Sequence, residues 1–392
     1  MRSKTPESSL QNHNKENVEK ALVAMSGGVD SSVAAWLMKN QGFDCIGVTM
    51  KLFQNTDIGL TGSHTCCSLD DIEDARSVAR LLKIPYYVFN FSDCFRQCVM
   101  EKFVQSYECG ITPNPCIDCN RYLKFEKLLH RAQVLGFDYV ATGHYARVEQ
   151  DEVTGRYLLK KALDASKDQS YVLYTMTQEQ LAHTLFPLGT LTKQEVRSIA
   201  QQYSFVTAQK HDSQDICFVP GGEYAEFIKQ YTGKAYPPGD FVDRDGNVLG
   251  THRGIIHYTI GQRRGLSIAT GKRQYVCAVD PEQNRVILGQ DKDVYTKSLI
   301  ARDINLISQQ ALEEPIRLKA KVRYRHTEQW STVTQLEQDT LKIVFDMPQR
   351  AVAKGQSVVL YDGETVVGGG IIVETFPESC YNELKSNGGQ QV

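Results

Sequence analysis

Residues 26–32, with the sequence SGGVDSS, have the composition of a phosphate-binding loop. Two adjacent glycines let the backbone curl so that successive N–H groups point inward, and the serine hydroxyls add donors. A helix that begins directly after the loop would add positive potential. The loop lacks the lysine of GxxxxGK[ST] and does not fit GxGxxG. We therefore predict another type of nucleotide-phosphate site, with Asp30 as a candidate Mg²⁺ ligand. The alternative is an ordinary strand-to-helix turn with a capping serine.

Three cysteines have a spacing that suits sulfur chemistry. Cys116 and Cys119 form a C-x-x-C pair before a predicted helix, and Cys217 lies far along the chain in HDSQDICFVPGG. A thiol at a helix amino terminus has a lowered pKa, so Cys119 is a candidate thiolate. Three interpretations remain open. One is a structural zinc site with His211, for which the spacing is poor. The others are a redox pair and a sulfur-carrying site with a nucleophilic thiolate, a persulfide or iron–sulfur ligands.

A basic run begins at residue 317. Its odd positions are Arg317, Lys319, Lys321, Arg323 and Arg325, and its even positions are Leu318, Ala320, Val322 and Tyr324. On a strand, this alternation places all five cations on one face and the apolar residues on the other. A solvated strand face normally mixes charges of both signs, whereas a face of one sign favours contact with a polyanion.

The segments around these residues alternate between strand-like and helix-like patterns in the first half of the chain. ALVAM precedes the SGGVDSS loop and SSVAAWLMKN follows it, and the same alternation continues to YVATGH at residues 139–144. Such alternation predicts an α/β fold with a doubly wound parallel sheet. Turn signals become dense after about residue 214, and short strand patterns dominate from residue 300, which predicts a β-barrel. We expect a disordered tail at 1–20, a nucleotide-binding domain at 21–214, a small middle domain at 215–299 and a C-terminal β-barrel at 300–392.

The composition limits the function classes. The chain has 392 residues and a formal net charge of −2, so nucleic-acid binding would need a local patch rather than a uniformly basic surface. It has no apolar run long enough for a membrane span and no apolar segment near its start, which predicts a cytoplasmic protein without a membrane role. Eleven cysteines without an export signal indicate a reducing compartment. Among them, Cys66 and Cys67 are a secondary candidate redox pair, for which structural thiols are the simpler interpretation.

Seven motifs occur in an order that resembles the tRNA-uridine 2-sulfurtransferases, the MnmA/TrmU family of the PP-loop ATP pyrophosphatase superfamily. They are SGGVDSS, TPNPxxxCNRxxKF, ATGHYAR, KDQSYVL, FPLGxLTKxEVR, DSQDICF and YTIGQRRGL, and the resemblance covers residues 21–375. It implies ATP-dependent 2-thiolation of the wobble uridine, position 34, of tRNA, with ATP, Mg²⁺ and a persulfide sulfur donor or relay protein as partners.

The resemblance also assigns site residues by position. It implies ATP contacts from Ala24, Met25, Ser26, Gly27, Gly28, Val29, Asp30, Ser31, Met50 and Gly143. It implies contacts to tRNA or its target base from Asn114, Pro115, Cys116, His144, Lys167, Asp168, Gln169, Arg323, Tyr324 and Gln356. From the residues alone, Met50 and His144 are equally well explained as core residues, and Asp168 as a helix cap.

The same resemblance makes Cys119 and Cys217 the catalytic pair. Cys217 would carry the persulfide, and a Cys119–Cys217 disulfide would form after sulfur transfer. Many members of the family have Asp at the position of Cys116, where it is proposed as a general base. Because a third thiol is present here, Cys116, Cys119 and Cys217 are also candidate ligands of a [4Fe–4S] cluster.

Two other functions remain open from the sequence. The first is a PP-loop ligase or amidotransferase that acts on a small molecule, which would have no use for the C-x-x-C pair or the basic run. The second is a non-catalytic iron–sulfur or RNA-binding module, which the intact SGGVDSS loop disfavours.

Overall fold

A computed structural model describes residues 18–53, 69–210 and 216–377, and its first sheet is parallel and five-stranded. The strands of the first half of the chain are β1 (Lys20–Ala24), β2 (Asp44–Lys51), β3 (Tyr86–Asn90), β4 (Tyr139–Thr142), β5 (Ala146–Gln150), β6 (Tyr157–Lys161) and β7 (Thr184–Leu185). The sheet has the order β3-β2-β1-β4-β7. The strand order therefore reverses between β1 and β4, which is where ligands bind in open α/β sheets.

Helices cover both faces of this sheet. The α-helices of the described residues are α1 (Val29–Asn40), α2 (Leu69–Leu82), α3 (Ser92–Phe95), α4 (Lys102–Glu108), α5 (Pro115–Asp118), α6 (Leu129–Val134), α7 (Gln178–Ala182), α8 (Lys193–Gln202) and α9 (Tyr224–Thr232). Two π-helical segments, Arg96–Glu101 and Cys119–Leu128, join α3 to α4 and α5 to α6. Alternate β1 residues enter different cores: Ala21 and Val23 pack with α1, α2 and α8, whereas Leu22 packs with α6. The predicted doubly wound sheet is confirmed.

The rest of the chain is mainly β. The strands are β8 (Gly239–Val242), β9 (Val248–His252), β10 (Tyr275–Asp280), β11 (Arg285–Gly289), β12 (Tyr295–Leu306), β13 (Ile316–Lys321), β14 (Gln329–Glu337), β15 (Thr340–Arg350), β16 (Ser357–Asp362) and β17 (Thr365–Phe376). Strands β8–β11 form a separate sheet, and β12–β17 close into a barrel through the β12–β17 pairing. The β5–β6 hairpin joins the barrel sheet at Thr365 and Lys160. The predicted C-terminal barrel is confirmed.

The prediction that one strand carries all five cations of the basic run is wrong. Strand β13 ends at Lys321, because its ladder with β14 ends where Ala320 pairs with Gln329. The chain then turns, and the His326 amide donates to the Arg323 carbonyl at 3.1 Å. The prediction that the even-numbered residues face inward is correct for Leu318, Ala320 and Val322, which are buried. It is wrong for Tyr324, which is 38% exposed.

Several sequence predictions fall outside the described residues. These are the tail before Val18, the Cys66–Cys67 pair and the zinc candidate His211. Within the described ranges, no helix is long and apolar enough to cross a membrane.

Candidate active site

The SGGVDSS loop joins β1 to α1 at the point where the strand order reverses. Gly27 has a φ of +74°, and a Cβ there would lie 2.3 Å from the Asp71 carbonyl oxygen. Glycine is therefore required both by the left-handed backbone and by the close approach of α2. On the other side, a Cβ at Gly143 would lie 2.8 Å from the Ser31 nitrogen. The first turn of α1 thus packs directly on the backbone that follows β4.

Hydrogen bonds within the loop fix its shape. The Ser26 amide donates to Ser31 Oγ at 3.1 Å, and Ser31 Oγ donates to the Gly28 carbonyl at 3.1 Å. Ser32 Oγ donates to the same carbonyl at 2.8 Å. Gly28 is the N-cap of α1, and among the described residues no side chain caps this helix. The simple capping turn considered from the sequence is therefore not the observed arrangement.

The carboxylate of Asp30 is already engaged by two side chains. Lys193 Nζ lies 2.7 and 2.8 Å from its two oxygens, and the Tyr145 hydroxyl donates to Oδ1 at 2.8 Å. The sequence suggested Asp30 as a Mg²⁺ ligand, whereas in the structure the ammonium group of Lys193 is the cation beside this carboxylate. The sequence alone assigned no role to Lys193 or Tyr145, although they lie in two of the seven motifs, TKxEVR and ATGHYAR.

A second lysine, Lys210, links the loop to α2. Lys210 Nζ donates to the Gly27 carbonyl at 3.0 Å and to the Asp71 and Asp74 carboxylates at 2.6 and 2.7 Å. Burial lowers the pKa of Lys210, but its hydrogen bonds to the two aspartates raise it above the ordinary value. Lys210 therefore holds the Gly27 peptide as a cation. Met50, at the end of β2, is half-buried against apolar residues at the same edge of the sheet.

Cys119 lies inside a helix rather than at its start. Pro115 begins the helical run and Asn114 is its N-cap, which puts the exposed Cys116 in the first turn. Cys119 is partly buried, and burial raises the pKa of its thiol while Lys124 lowers it to a smaller extent. The prediction of a lowered pKa at Cys119 is therefore wrong, because the distance from the helix terminus removes the dipole effect and burial penalises the thiolate.

This raised pKa predicts how Cys119 reacts. Since thiolate, not thiol, attacks an alkylating agent, we expect the rate of Cys119 modification by iodoacetamide to keep rising above pH 9.0, the ordinary value. Peptide mass spectrometry between pH 6 and pH 10.5 measures this rate, with the exposed Cys109 as the internal reference. A plateau at Cys119 near pH 7 would contradict the expectation.

Cys217 and Cys119 approach the same apolar cluster from different parts of the chain. The cluster includes the buried rings of Phe95, Phe103, Phe218 and Phe227, and we call it the Phe218 cluster. Both cysteines pack against it as partly buried residues. Leu52 and Phe53, directly after β2, also belong to the cluster. It therefore lies at the carboxyl edge of the parallel sheet, the edge that carries the phosphate loop.

The three cysteines do not fit a metal cluster in this arrangement. Within residues 18–53, 69–210 and 216–377, no three His, Cys, Asp or Glu side chains lie together as a metal-ligating group. Cys116 is exposed, whereas Cys119 and Cys217 pack on the Phe218 cluster.

Four segments with predicted tRNA contacts meet between the α/β unit and the barrel. The Tyr324 hydroxyl donates to the Asp168 carbonyl at 3.2 Å. Gln356 Nε2 donates to the Thr112 and Pro113 carbonyls at 3.0 and 2.9 Å, which docks the loop before Cys116 on the barrel. The structure thus brings together residues 114–116, 167–169, 323–324 and 356, although it uses the Gln356 amide internally.

Asp168 and Gln169 have structural hydrogen bonds of their own. Asp168 accepts from the Ser170 hydroxyl at 2.8 Å and from the Ala162 amide at 3.1 Å. Gln169 Oε1 accepts from the Tyr145 amide at 2.9 Å. The neighbouring Lys167 amide donates to the Asp164 carbonyl at 3.0 Å. These bonds fix the segment that faces Tyr324.

His144 is a buried residue of this region. Its Nδ1 lies 2.7 Å from Thr142 Oγ1 and its Nε2 lies 3.2 Å from Lys124 Nζ. Burial, and then Lys124, lower the pKa of His144 well below 6.5, so the ring is neutral at physiological pH. The alternative of a satisfied core histidine fits these contacts.

The basic run is partly neutralised by acidic neighbours. Arg317 forms a bidentate pair with Asp346, and Lys319 lies 3.6 Å from Glu328. Arg323 differs, because its Nε is buried and has no hydrogen-bond partner among the described residues, while one of its terminal nitrogens donates to the Ile260 carbonyl at 3.2 Å. Of these three cations, Arg323 is the one best placed to gain an anionic partner.

Comparison with known families divides the chain into three matched parts. Residues 19–221 match the tRNA methyl transferase HUP domain, residues 225–290 the tRNA methyl transferase PRC-barrel domain, and residues 296–372 the Aminomethyltransferase beta-barrel domain. Among solved structures, a 4-thiouridine synthetase–RNA complex with bound ATP is 18% identical, with a TM-score of 0.33 over 55% of this chain and 50% of that one. That likeness is too weak to bear on function.

Curated relatives are much closer. The tRNA-specific 2-thiouridylase MnmA of Clostridioides difficile is 52% identical over 354 residues, which cover 90% of this chain and 98% of the relative. The corresponding protein of Acetivibrio thermocellus is 53% identical over 355 residues, which cover 90% and 99%. With this identity along nearly the full length of both proteins, the chain belongs to the family of tRNA-specific 2-thiouridylases.

Proposed function

We propose that this chain is an ATP-dependent tRNA-uridine 2-sulfurtransferase that replaces the C2 oxygen of the wobble uridine, position 34, with sulfur. One observation carries the proposal beyond family membership. Cys119 and Cys217, which lie 98 positions apart in the sequence, pack on one apolar cluster at the sheet edge that carries the phosphate loop. In this proposal, nucleotide activation and thiol chemistry take place at one edge of the fold.

The first step activates the base. The uracil C2 oxygen attacks the α-phosphorus of ATP, diphosphate leaves, and the oxygen becomes part of an adenylate. The loop N–H groups from Gly27 to Ser31 bind the phosphates, and Lys193 offsets the charge of Asp30 beside them. Adenylate is a far better leaving group than oxide, which lowers the barrier to sulfur attack. Mg²⁺ accompanies ATP in this proposal as the counter-ion of the phosphates, without an assigned protein ligand.

The second step transfers sulfur. The terminal sulfur of a Cys217 persulfide bonds to C2, and AMP leaves with the former oxygen. The Cys119 thiolate then attacks the Cys217 sulfur, which breaks the persulfide S–S bond and leaves 2-thiouridine with a Cys119–Cys217 disulfide. A two-electron thiol reductant restores both thiols. In the alternative order, Cys119 first releases hydrosulfide, which then attacks C2 with the same overall balance.

The tRNA lies across the junction of residues 114–116, 167–169, 323–324 and 356 in this proposal. The target base must leave its stack to reach the sheet edge, so we expect base flipping. A persulfide-carrying relay protein or another persulfide donor loads Cys217.

Replacing Arg323 with alanine tests the tRNA surface. We expect weaker tRNA binding and a slope of log K against log salt that is smaller by about 1, because one phosphate contact is lost. Filter binding between 50 and 300 mM KCl measures both. The matched control is Arg96→Ala, since Arg96 is an exposed cation that pairs with Asp93 one turn earlier. An unchanged slope for Arg323→Ala would remove this residue from the interface.

The function itself is tested by nucleoside mass spectrometry. Protein loaded with persulfide is incubated with tRNA, ATP and Mg²⁺, and the tRNA is digested. We expect a uridine at position 34 to gain the mass of an oxygen-to-sulfur exchange, only when ATP is present. ATP–diphosphate exchange without RNA, together with unmodified tRNA, would favour a ligase that acts on a small molecule.

A further inference from the structure

A second pair of thiols packs on the Phe218 cluster. Cys94, in α3, and Cys98, in the π-helical segment that follows, are one turn apart, and their Sγ atoms are 3.8 Å from each other. Both side chains are partly buried. From the sequence alone these two cysteines read as packing or surface residues, because nothing in the C-x-x-x-C spacing identifies a site.

The position of Cys94 and Cys98 suggests a role in thiol–disulfide exchange. Cys94 and Cys98 pack against the Phe218 cluster, as Cys119 and Cys217 do. Four thiols therefore surround one apolar cluster, contributed by three separate segments of the chain. Thiols that pack on one apolar cluster are candidates for thiol–disulfide exchange with one another, and their partial exposure leaves them accessible to an external dithiol.

The local geometry allows a disulfide between Cys94 and Cys98. Residues four apart on a helix have Cα atoms about 6 Å apart, within the range of about 4.4–6.8 Å for disulfides. Their Cβ atoms are about 5–6 Å apart, so the backbone must also move to bring them to about 4 Å. Closing the bond requires the Sγ atoms to move from 3.8 Å to about 2.05 Å. The helix changes to π-helical winding at Arg96, between the two cysteines, and such segments frequently occur at functional sites.

We propose that Cys94 and Cys98 form an auxiliary dithiol that reduces the disulfide left between Cys119 and Cys217 after sulfur transfer. The inference rests on the proposed function for its substrate disulfide. It assigns these two cysteines a redox role in resetting the enzyme.

The exchange balances in two steps. One thiolate of the pair attacks a sulfur of the Cys119–Cys217 disulfide, which forms a mixed disulfide and releases the other sulfur as thiolate. The second thiol of the pair then attacks the mixed disulfide, which closes the Cys94–Cys98 bond. The auxiliary pair loses two electrons and two protons, and the catalytic pair gains them. An external cellular dithiol reduces the Cys94–Cys98 disulfide in turn.

The ionisation of Cys94 agrees with a reducing role. Burial, and then the neighbouring Cys98, raise the pKa of Cys94 to about 11. A dithiol whose thiolate is not stabilised is a stronger reductant than one with a stabilised thiolate.

The first experiment tests the pair without reference to thiolation. The purified full-length protein is equilibrated in glutathione buffers of graded ratio, quenched with N-ethylmaleimide and mapped by peptide mass spectrometry. We expect a Cys94–Cys98 disulfide to form and to revert with added dithiothreitol. The proposal is overturned if N-ethylmaleimide still alkylates both cysteines after equilibration in oxidised glutathione, while circular dichroism shows that the protein is folded.

The second experiment locates the oxidising equivalents after one turnover. Protein with a Cys217 persulfide is freed of small thiols, mixed with tRNA and ATP, quenched and mapped; the same protein without ATP gives the baseline. We expect an ATP-dependent Cys94–Cys98 disulfide in the wild type and a retained Cys119–Cys217 disulfide in Cys98→Ser. The matched control Cys109→Ser, at an exposed thiol after α4, should behave as the wild type.

The two experiments separate failure of the inference from failure of the proposed function. A Cys119–Cys217 disulfide that persists equally in the wild type and in Cys98→Ser overturns the auxiliary dithiol while thiolation stands. A wild-type disulfide that instead includes Cys116 also overturns it. A reversible Cys94–Cys98 disulfide in glutathione, with tRNA that never gains sulfur, leaves the redox pair intact and refutes the thiolation proposal.

Discussion

Cys217→Ser is expected to abolish 2-thiouridine formation and to leave tRNA affinity unchanged. Serine cannot carry a persulfide or enter a disulfide, so no sulfur reaches C2 even when the base has been adenylated. The fold should tolerate the change, because Cys217 is only partly buried at the edge of the Phe218 cluster. Nucleoside mass spectrometry measures thiolation, with a loss of at least about 10³-fold expected for removal of a covalent catalyst. Filter binding measures tRNA affinity.

The control for Cys217→Ser is Cys277→Ser. Cys277 is also partly buried, but it lies on β10 in the small middle sheet, where burial raises the pKa of its thiol to about 11. We expect full activity from this control. If tRNA gains 2-thiouridine at the normal rate with Cys217→Ser, the persulfide role of Cys217 is refuted.

Gly27→Ala is expected to weaken ATP binding. The Gly27 φ of +74° is unfavourable for alanine, and the added Cβ would lie 2.3 Å from the backbone oxygen of Asp71. Because backbone cannot yield as a flexible side chain can, either the loop or α2 must move. The loop N–H groups then lose their common direction, and we expect at least about a tenfold loss of ATP affinity, the effect of about 1.4 kcal/mol. Calorimetric titration with a non-hydrolysable ATP analogue measures the loss.

Gly42→Ala separates backbone strain from the clash. Gly42 also has a positive φ, +93°, but a Cβ there would meet no atom within 4 Å. This control should lower stability by about 1 kcal/mol, the usual cost of a non-glycine residue in the left-handed region, and should bind ATP as the wild type does. Wild-type ATP affinity in Gly27→Ala would show that the loop does not bind the phosphates.

Local patterns determined much of the architecture of this protein. The alternation of strand and helix patterns around SGGVDSS was sufficient for the doubly wound sheet, because a 2-residue and a 3.6-residue period reflect which face of each segment is buried. The phosphate loop was equally visible, since glycine pairs between a strand and a helix have a local backbone cause. The barrel followed from short strand patterns with turns between them.

Long-range packing decided what those patterns could not. The ion pair between Asp30 and Lys193 joins residues 163 positions apart, so no local spacing in the sequence predicts it. The raised pKa of Cys119 depends on burial that α5 and its π-helical continuation acquire only by packing. Arg323 leaves the strand face because the β13–β14 ladder ends, which depends on the partner strand and not on the alternation in its own sequence.

The sequence by itself determined the kind of fold, the phosphate loop and the cysteines to consider, because those features depend on neighbours along the chain. The tertiary structure alone decided which charges are paired and that Cys94, Cys98, Cys119 and Cys217 share one apolar cluster. Burial and ion pairing depend on contacts between residues that are distant in sequence, and only folding brings such residues within contact distance.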